Sequence, residues 1–277
     1  MGVIDRPAAE ERTTAGRRAR FAWLTFGVIV TASTLVLGSL SARAWLDGSG
    51  AASVEVRHQL YRQPIDRIEL DLGNGDATLI AGPARQVDIE RRLRGHTKPT
   101  IEQTWQGNTL HIRVHCPQGR RWPPSNDHCA AAYTLQLPVD TVVNARTTSG
   151  SLNVFGIAGD LSLTTHSGDI TLSNTTGAVR VRADSGSVTG GRLRSTDVNA
   201  QLKSGAARLT FVAAPRSVTA KTASGEIDIA VPEGRYRTHA STLSGAWKVA
   251  VISDDSATSE ITAQAGSGDV KIHYGGQ

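Results

Sequence analysis

Seven Ser-Gly pairs punctuate the second half of this 277-residue chain at near-even intervals, and they leave few ways to fold it. They fall at Ser149-Gly150, Ser167-Gly168, Ser185-Gly186, Ser204-Gly205, Ser224-Gly225, Ser244-Gly245 and Ser267-Gly268, with steps of 18, 18, 19, 20, 20 and 23 residues. A finer period lies inside the first repeats, where Gly150, Gly159, Gly168, Gly177 and Gly186 are nine residues apart. Apolar and polar residues alternate on both sides of most pairs, as in Leu161/Leu163/Thr165 before Ser167 and Ile170/Leu172 after Gly168. Period-two alternation places one set on a single face of a strand. Each repeat therefore reads as strand, Ser-Gly turn, strand, looser turn.

One such strand pair cannot bury its apolar face alone, whereas stacked copies can. Each strand then pairs with its equivalent in the next copy, about 4.8 Å away. The pattern predicts an all-β fold, a β-solenoid of stacked two-strand coils with about 18–20 residues per repeat. Glycine suits the corner because it reaches positive φ without a Cβ clash, and serine can hydrogen-bond the local backbone. A Greek-key β-sandwich, which also has regular turns, is the rival architecture. In sequence order the last strand, 269–274, would be an open edge available to another copy or a partner.

The stretch 53–91 reads as an earlier copy, with Ile68, Leu70 and Leu72 before a Gly73-Asn74-Gly75 turn and Ala77 and Leu79 after it. Residues 92–132 depart from the repeat and read as an irregular insert. Within it, Gly107-Asn108 resembles a hairpin turn and 117–128 (PQGRRWPPSNDH) a Pro-rich loop. The repeat domain spans 53–277.

Residues 21–42 contain no charged side chain. As a helix they would extend about 33 Å, enough to cross a hydrocarbon core of about 30 Å. Arg17, Arg18 and Arg20 precede the span, and Trp23 and Trp45 lie near its ends. That arrangement predicts one transmembrane helix, a cytoplasmic tail at 1–20, a linker at 43–52 and an extracytoplasmic domain. A cleaved signal peptide is the alternative, with Ala42-Arg43-Ala44 as its small-x-small site.

The formal charge is +5, but residues 1–20 hold five arginines against three acids, leaving 25 basic and 22 acidic residues in the rest. The arginines are scattered along the chain and form no basic run, so nucleic acid is not an expected partner.

The run Leu137-Pro138-Val139-Asp140, Asn144-Ala145-Arg146-Thr147-Thr148-Ser149-Gly150 and Gly159-Asp160-Leu161-Ser162-Leu163 resembles the bacterial "putative adhesin" domain family of unknown function. The resemblance covers roughly 53–277 and is strongest over 137–275. It implies β-solenoid repeats behind a membrane anchor, a surface-binding role, and a sensing role in envelope stress as a second option. It implies no catalytic residues.

Few residues suggest chemistry. Cys116 and Cys129 are the only cysteines and, outside the cytoplasm, would form a disulfide around the Pro-rich loop. A metal site using His111, His115 or His128 is disfavoured, because His111 and His115 share the polar face of a strand and no Cys-x-x-Cys spacing occurs. His166, Asp184 and Lys203 precede the serine in successive repeats and would stack as a charge ladder. The position after the glycine (Ser151, Asp169, Ser187, Ala206, Glu226, Ala246, Asp269) puts no two acids on successive repeats. Gly73-Asn74-Gly75-Asp76 is a single loosely calcium-like turn. No nucleophile elbow, zinc motif or phosphate loop occurs, so no cofactor, metal or catalytic residue is expected.

The sequence thus predicts a non-enzymatic, single-pass envelope protein that presents a structural or adhesive module to a cell-wall polymer or envelope protein. A stress sensor signalling through its anchor and an enzyme acting on surface polysaccharide are the alternatives.

Overall fold

The structure, a computed structural model, describes residues 55–94, 99–116 and 130–275. The transmembrane span expected at 21–42, its flanks and the Pro-rich loop expected at 117–128 lie outside the described residues.

Alternation becomes strand throughout. The first seven strands are β1 (Glu55–Tyr61), β2 (Arg67–Asp71), β3 (Gly75–Gly82), β4 (Val87–Arg94), β5 (Thr100–Gln106), β6 (Thr109–His115) and β7 (Ala130–Pro138). The repeats follow as pairs. They are β8 (Val142–Ser149) and β9 (Leu152–Phe155), β10 (Leu161–Ser167) and β11 (Ile170–Ser173), then β12 (Val179–Ser185) and β13 (Val188–Leu193). Next come β14 (Asp197–Ser204) and β15 (Ala207–Phe211), then β16 (Ser217–Ser224) and β17 (Ile227–Val231). The last are β18 (Arg235–Ser244) and β19 (Trp247–Ala250), the short β20 (Ile252–Ser253), then β21 (Glu260–Ser267) and β22 (Val270–Tyr274).

Each Ser-Gly corner carries the chain from one sheet to another. The strands before the corners form an eleven-stranded leading sheet, in the order β20-β18-β21-β16-β14-β12-β10-β8-β2-β6-β5. Those after the corners form an eleven-stranded trailing sheet, β1-β4-β7-β3-β9-β11-β13-β15-β17-β22-β19. Pairing from rung to rung is parallel and in register, as in Leu161↔Val179 and Ile170↔Val188. Parallel stacking of equivalent strands makes this a solenoid-like coil and excludes the Greek-key rival. The core is the space between the two sheets, filled by the inward columns, among them Leu161, Leu163, Ile170, Leu172, Val179 and Val188.

The corner explains the glycine column on two grounds. Gly205 has φ +132°, and a Cβ there would lie 2.0 Å from the Gly186 carbonyl oxygen of the rung below. Positive φ is the first reason for glycine; the second is the stack itself. Main-chain bonds link the corners, with Gly168 donating to the Ser185 carbonyl at 3.0 Å and Gly205 to that of Ser224 at 2.9 Å. The side-chain bonds come from the inward threonine two residues before the serine. Thr147 Oγ1 donates to the carbonyls of Gly73 and Gly75, both at 3.0 Å, and Thr242 Oγ1 to that of Gly268 at 2.9 Å.

Three expectations are corrected. First, the segment 92–132 is not simply an insert. Its strand β6 pairs parallel with β2, and β7, which follows the loop, pairs parallel with β3, so the two build a further rung. Second, rung order departs from chain order at the C-terminal end. β21 lies between β16 and β18, and β22 between β17 and β19. Third, the strand 269–274 is therefore interior, and the open edge belongs to β18 and β19.

The repeat with the poorest inward pattern repairs itself locally. Gly190 leaves a hole, and the register shifts between Gly190 and Leu193. Arg192 takes φ +49°, and the buried Leu193 side chain fills the space a Gly190 Cβ would occupy. The opposite end of the stack is closed differently. β4 pairs antiparallel with β7, β1 with β4, and β5 with β6 through the Gly107-Asn108 hairpin.

Candidate binding face

The stacking projects the outward residues of successive strands into rows across each sheet. His166, Asp184 and Lys203 do meet, as their shared position implies. His166 Nδ1 lies 2.8 Å from Asp184 Oδ2, and Lys203 Nζ lies 2.8 Å from Asp184 Oδ1. Hydrogen bonding from Lys203, then from His166, holds the Asp184 carboxyl below the usual carboxylate range. All three side chains are open to solvent. An ionised, paired carboxylate on an open face is a surface ion-pair ladder, not a general acid.

Other candidates resolve into structural roles. Asp169 Oδ1 accepts the Ser187 N–H at 2.8 Å, and Asp76 Oδ1 accepts that of Ser151 at 2.8 Å. The carbonyls of Gly73 and Gly75 are taken up by Thr147, so the calcium-like turn is a corner of the stack. His111 Nδ1 pairs with Glu69 Oε2 at 3.0 Å across β6 and β2. Among the described residues no three His, Cys, Asp or Glu side chains converge as metal ligands. Cys116 directly follows β6, and Cys129 directly precedes β7, so they flank the connection that stands where other rungs have a Ser-Gly corner. Cys129 and His128 lie outside the described residues.

The changed rung order also creates a neighbour pair that chain order hides. Glu226 and Asp269 follow the glycines of adjacent rungs, which the sequence reading had kept apart. Each is already engaged. Glu226 pairs with Lys271 at 2.8 Å and Arg208 at 3.7 Å, and Asp269 Oδ1 accepts the Ala246 N–H at 2.9 Å. The Glu226 hydrogen bond raises the Lys271 pKa.

The leading sheet offers the more distinctive surface. A shallow groove of about 480 Å³ crosses its outer face, lined by Glu69, Asp71, Glu102, His111, Arg113 and Arg146 among others. From Arg146 a row continues through Thr164, Arg182, Gln201, Lys221 and Gln264 on successive strands. Cations thus occur on every second strand, about 10 Å apart at the usual strand spacing. Arg146, Arg182 and Lys221 are exposed, and none appears in the ion pairs of the described residues. Sequence reading missed this row because its members lie 36 and 39 residues apart; only a repeat of known register aligns them.

Fold and surface together define an all-β repeat protein, a parallel coil with open polar faces. The chain belongs to the Toastrack DUF4097 family, whose model matches residues 65–276. This agrees with the resemblance drawn from the repeat. None of the curated proteins matches the chain. Solved structures similar to it include a "putative adhesin" from Bacteroides fragilis NCTC 9343, at 13% identity and TM-score 0.41, covering 79% of this chain and 97% of that one. A "putative cell adhesion protein" from Clostridium sporogenes ATCC 15579 is similar at 11% identity and TM-score 0.36, covering 81% and 100%. A "putative lipid binding protein" from Parabacteroides distasonis ATCC 8503 is similar at 14% identity and TM-score 0.34, covering 81% and 97%.

Proposed function

We propose that the protein is a non-enzymatic binding module of the cell envelope, held to the membrane by residues 21–42, whose leading sheet takes an extended anionic polymer on its outer face. The observation that carries this reading is the row Arg146, Arg182 and Lys221. A line of cations about 10 Å apart, separated by the hydrogen-bonding side chains of Thr164 and Gln201, complements a linear polymer bearing regularly spaced carboxylates or phosphates. Such a ligand would run along the stacking axis and touch many rungs weakly. Exposed charges contribute little singly, so affinity would come from repetition and fall with salt.

The test is affinity electrophoresis of the full chain in detergent, through gels containing polygalacturonate or a neutral glucan. Retardation by polygalacturonate alone is expected. It should vanish in the triple variant Arg146→Ala, Arg182→Ala, Lys221→Ala. Equal retardation of the variant, or equal retardation by the neutral glucan, overturns the proposal; preference for DNA over polygalacturonate would reassign the row to nucleic acid. The anchor is tested separately, by N-terminal sequencing of the mature protein: a start at Trp45 would mean cleavage.

A further inference from the structure

The cation row continues past Arg146. Asp71 on β2 is in register with Arg146 on one side and with Arg113 of β6 on the other. From β6 to β21, Arg113, Arg146, Arg182 and Lys221 therefore stand on every second strand of the leading sheet. The strands between them, and the one after Lys221, present Asp71, Thr164, Gln201 and Gln264 at the same level. Eight neighbouring strands thus alternate between a cation and a side chain with no positive charge. All four cations are exposed. Glu102, on the next strand and 3.9 Å from Arg113, ends the row with an acid.

A second outward row lies two residues earlier on each strand, about 7 Å away. From β8 to β21 it runs Asn144, Ser162, Arg180, Asn199, Thr219 and Thr262. Arg180 apart, it offers hydroxyls and amides, and neither row holds an acid over these strands. On β14 the two rows are tied, Gln201 Nε2 donating to Asn199 Oδ1 at 3.2 Å.

Neighbouring strands are about 4.8 Å apart. That is close to the advance of one β-linked pyranose in an extended polysaccharide ribbon, so a ribbon along the stack sets one sugar on each strand. A sugar over a cation strand meets a guanidinium or an ammonium group. The sugars on either side of it meet Thr164, Gln201 or Gln264, which hydrogen-bond without charge. A carboxylate over Asp71 would meet a like charge. The row therefore rewards an anion at every second sugar and, at Asp71, repels one placed between. Selectivity of this kind uses an attractive and a repulsive element together.

We infer, resting on the anionic-polymer reading above, that the leading sheet selects a β-linked polysaccharide in which an anionic sugar alternates with a neutral one. The anionic sugars lie over Arg113, Arg146, Arg182 and Lys221. The neutral sugars lie over Asp71, Thr164, Gln201 and Gln264, where Asp71 accepts a sugar hydroxyl. Hydroxyl and amide substituents reach the second row. Charge attraction alone makes the opposite demand, since it favours the polymer with the most anions.

The experiment measures binding of end-labelled oligosaccharides to the full chain in detergent by fluorescence anisotropy. One probe is a hyaluronan oligosaccharide, in which glucuronate alternates with N-acetylglucosamine. The other is an all-β oligoglucuronate of equal length. The hyaluronan probe should bind at least as tightly as the oligoglucuronate, although it carries half the charge. The double exchange Arg182→Gln with Gln201→Arg keeps the net charge and moves the central cation by one strand. It should weaken hyaluronan binding about threefold or more and leave oligoglucuronate binding unchanged. Thr164→Lys with Gln201→Lys fills two gaps and should turn the preference toward oligoglucuronate. Tighter binding of oligoglucuronate by the wild type, or an exchange variant that holds hyaluronan as well as the wild type does, overturns the inference. If oligoglucuronate binding is still lost in the triple alanine variant of the cation row, the anionic-polymer reading survives that result. A wild-type chain that binds neither probe overturns both.

Discussion

Replacing Gly205 by alanine probes the corner column near its middle, and three other glycines separate the terms. At Gly205 both penalties act. The residue has φ +132°, and a Cβ would lie 2.0 Å from the Gly186 carbonyl oxygen. A non-glycine residue at such a φ costs about 1–3 kcal/mol. Forcing a methyl group against fixed backbone costs about 1–3 kcal/mol more, since a rung cannot shift without dragging its neighbours. Gly177→Ala isolates the clash, because its φ is not positive and its Cβ would lie 2.4 Å from the Gly159 carbonyl oxygen. Gly107→Ala isolates the φ term, because φ is +58° with nothing within 4 Å. Gly191→Ala carries neither, its nearest neighbour being the Leu172 carbonyl oxygen at 4.0 Å. The expected losses are about 2–6 kcal/mol for Gly205, 1–3 for Gly177, 1–2 for Gly107 and under 0.5 for Gly191. In a domain of this size each kcal/mol moves the melting temperature by about 2–4 °C, so Gly205→Ala should melt roughly 4–24 °C lower. Far-UV circular dichroism melts, checked by denaturant midpoints, measure all four. A Gly205→Ala loss no larger than that of Gly107→Ala would refute the close stacking of corner on corner.

Two further outcomes follow from the geometry. If Cys116 and Cys129 are joined, replacing both by serine opens a loop standing in for a corner and lowers stability by about 3 kcal/mol; an unchanged denaturation midpoint would refute the pairing. Asp184 has a lowered pKa in the folded chain, through Lys203 first and His166 second. Its contribution is therefore present above the unfolded carboxylate pKa and lost as pH falls through the lowered folded value. Asp184→Asn should destabilise slightly at neutral pH, converge with wild type below the carboxylate range, and matter less in high salt. A difference independent of pH would show that the ion pairs contribute nothing.

The repeat was legible because its physics is local. Alternation around Leu161, Ile170 and their equivalents sets the inward faces, and the Ser-Gly spacing sets the register. Spatial order is another matter. Every rung presents the same edge pattern, so nothing in residues 217–231 distinguishes a following strand at 235 from one at 260. The one visible signal was the last step of 23 residues, long enough for the chain to double back past a rung. The rung built from β6 and β7 was hidden similarly, because a loop with Cys116 and Cys129 replaces its corner glycine. The row of Arg146, Arg182 and Lys221 needed both register and strand order, since residues so far apart become neighbours only after stacking. Side chains that act through a neighbouring rung, such as Thr147 on Gly73 and Asp169 on Ser187, were invisible for the same reason.

The placement of β21 and β22 has a consequence for how the chain is made. When residues up to about 250 have left the ribosome, β16 and β17 form an open edge, and β18 and β19 carry a pattern able to occupy it. In the finished molecule that berth belongs to residues 260–274, which are synthesised after β18 and β19. The C-terminal end must then either wait unfolded or give up a premature docking. Its assembly therefore departs from chain order, while the middle of the stack can form in the order in which it emerges.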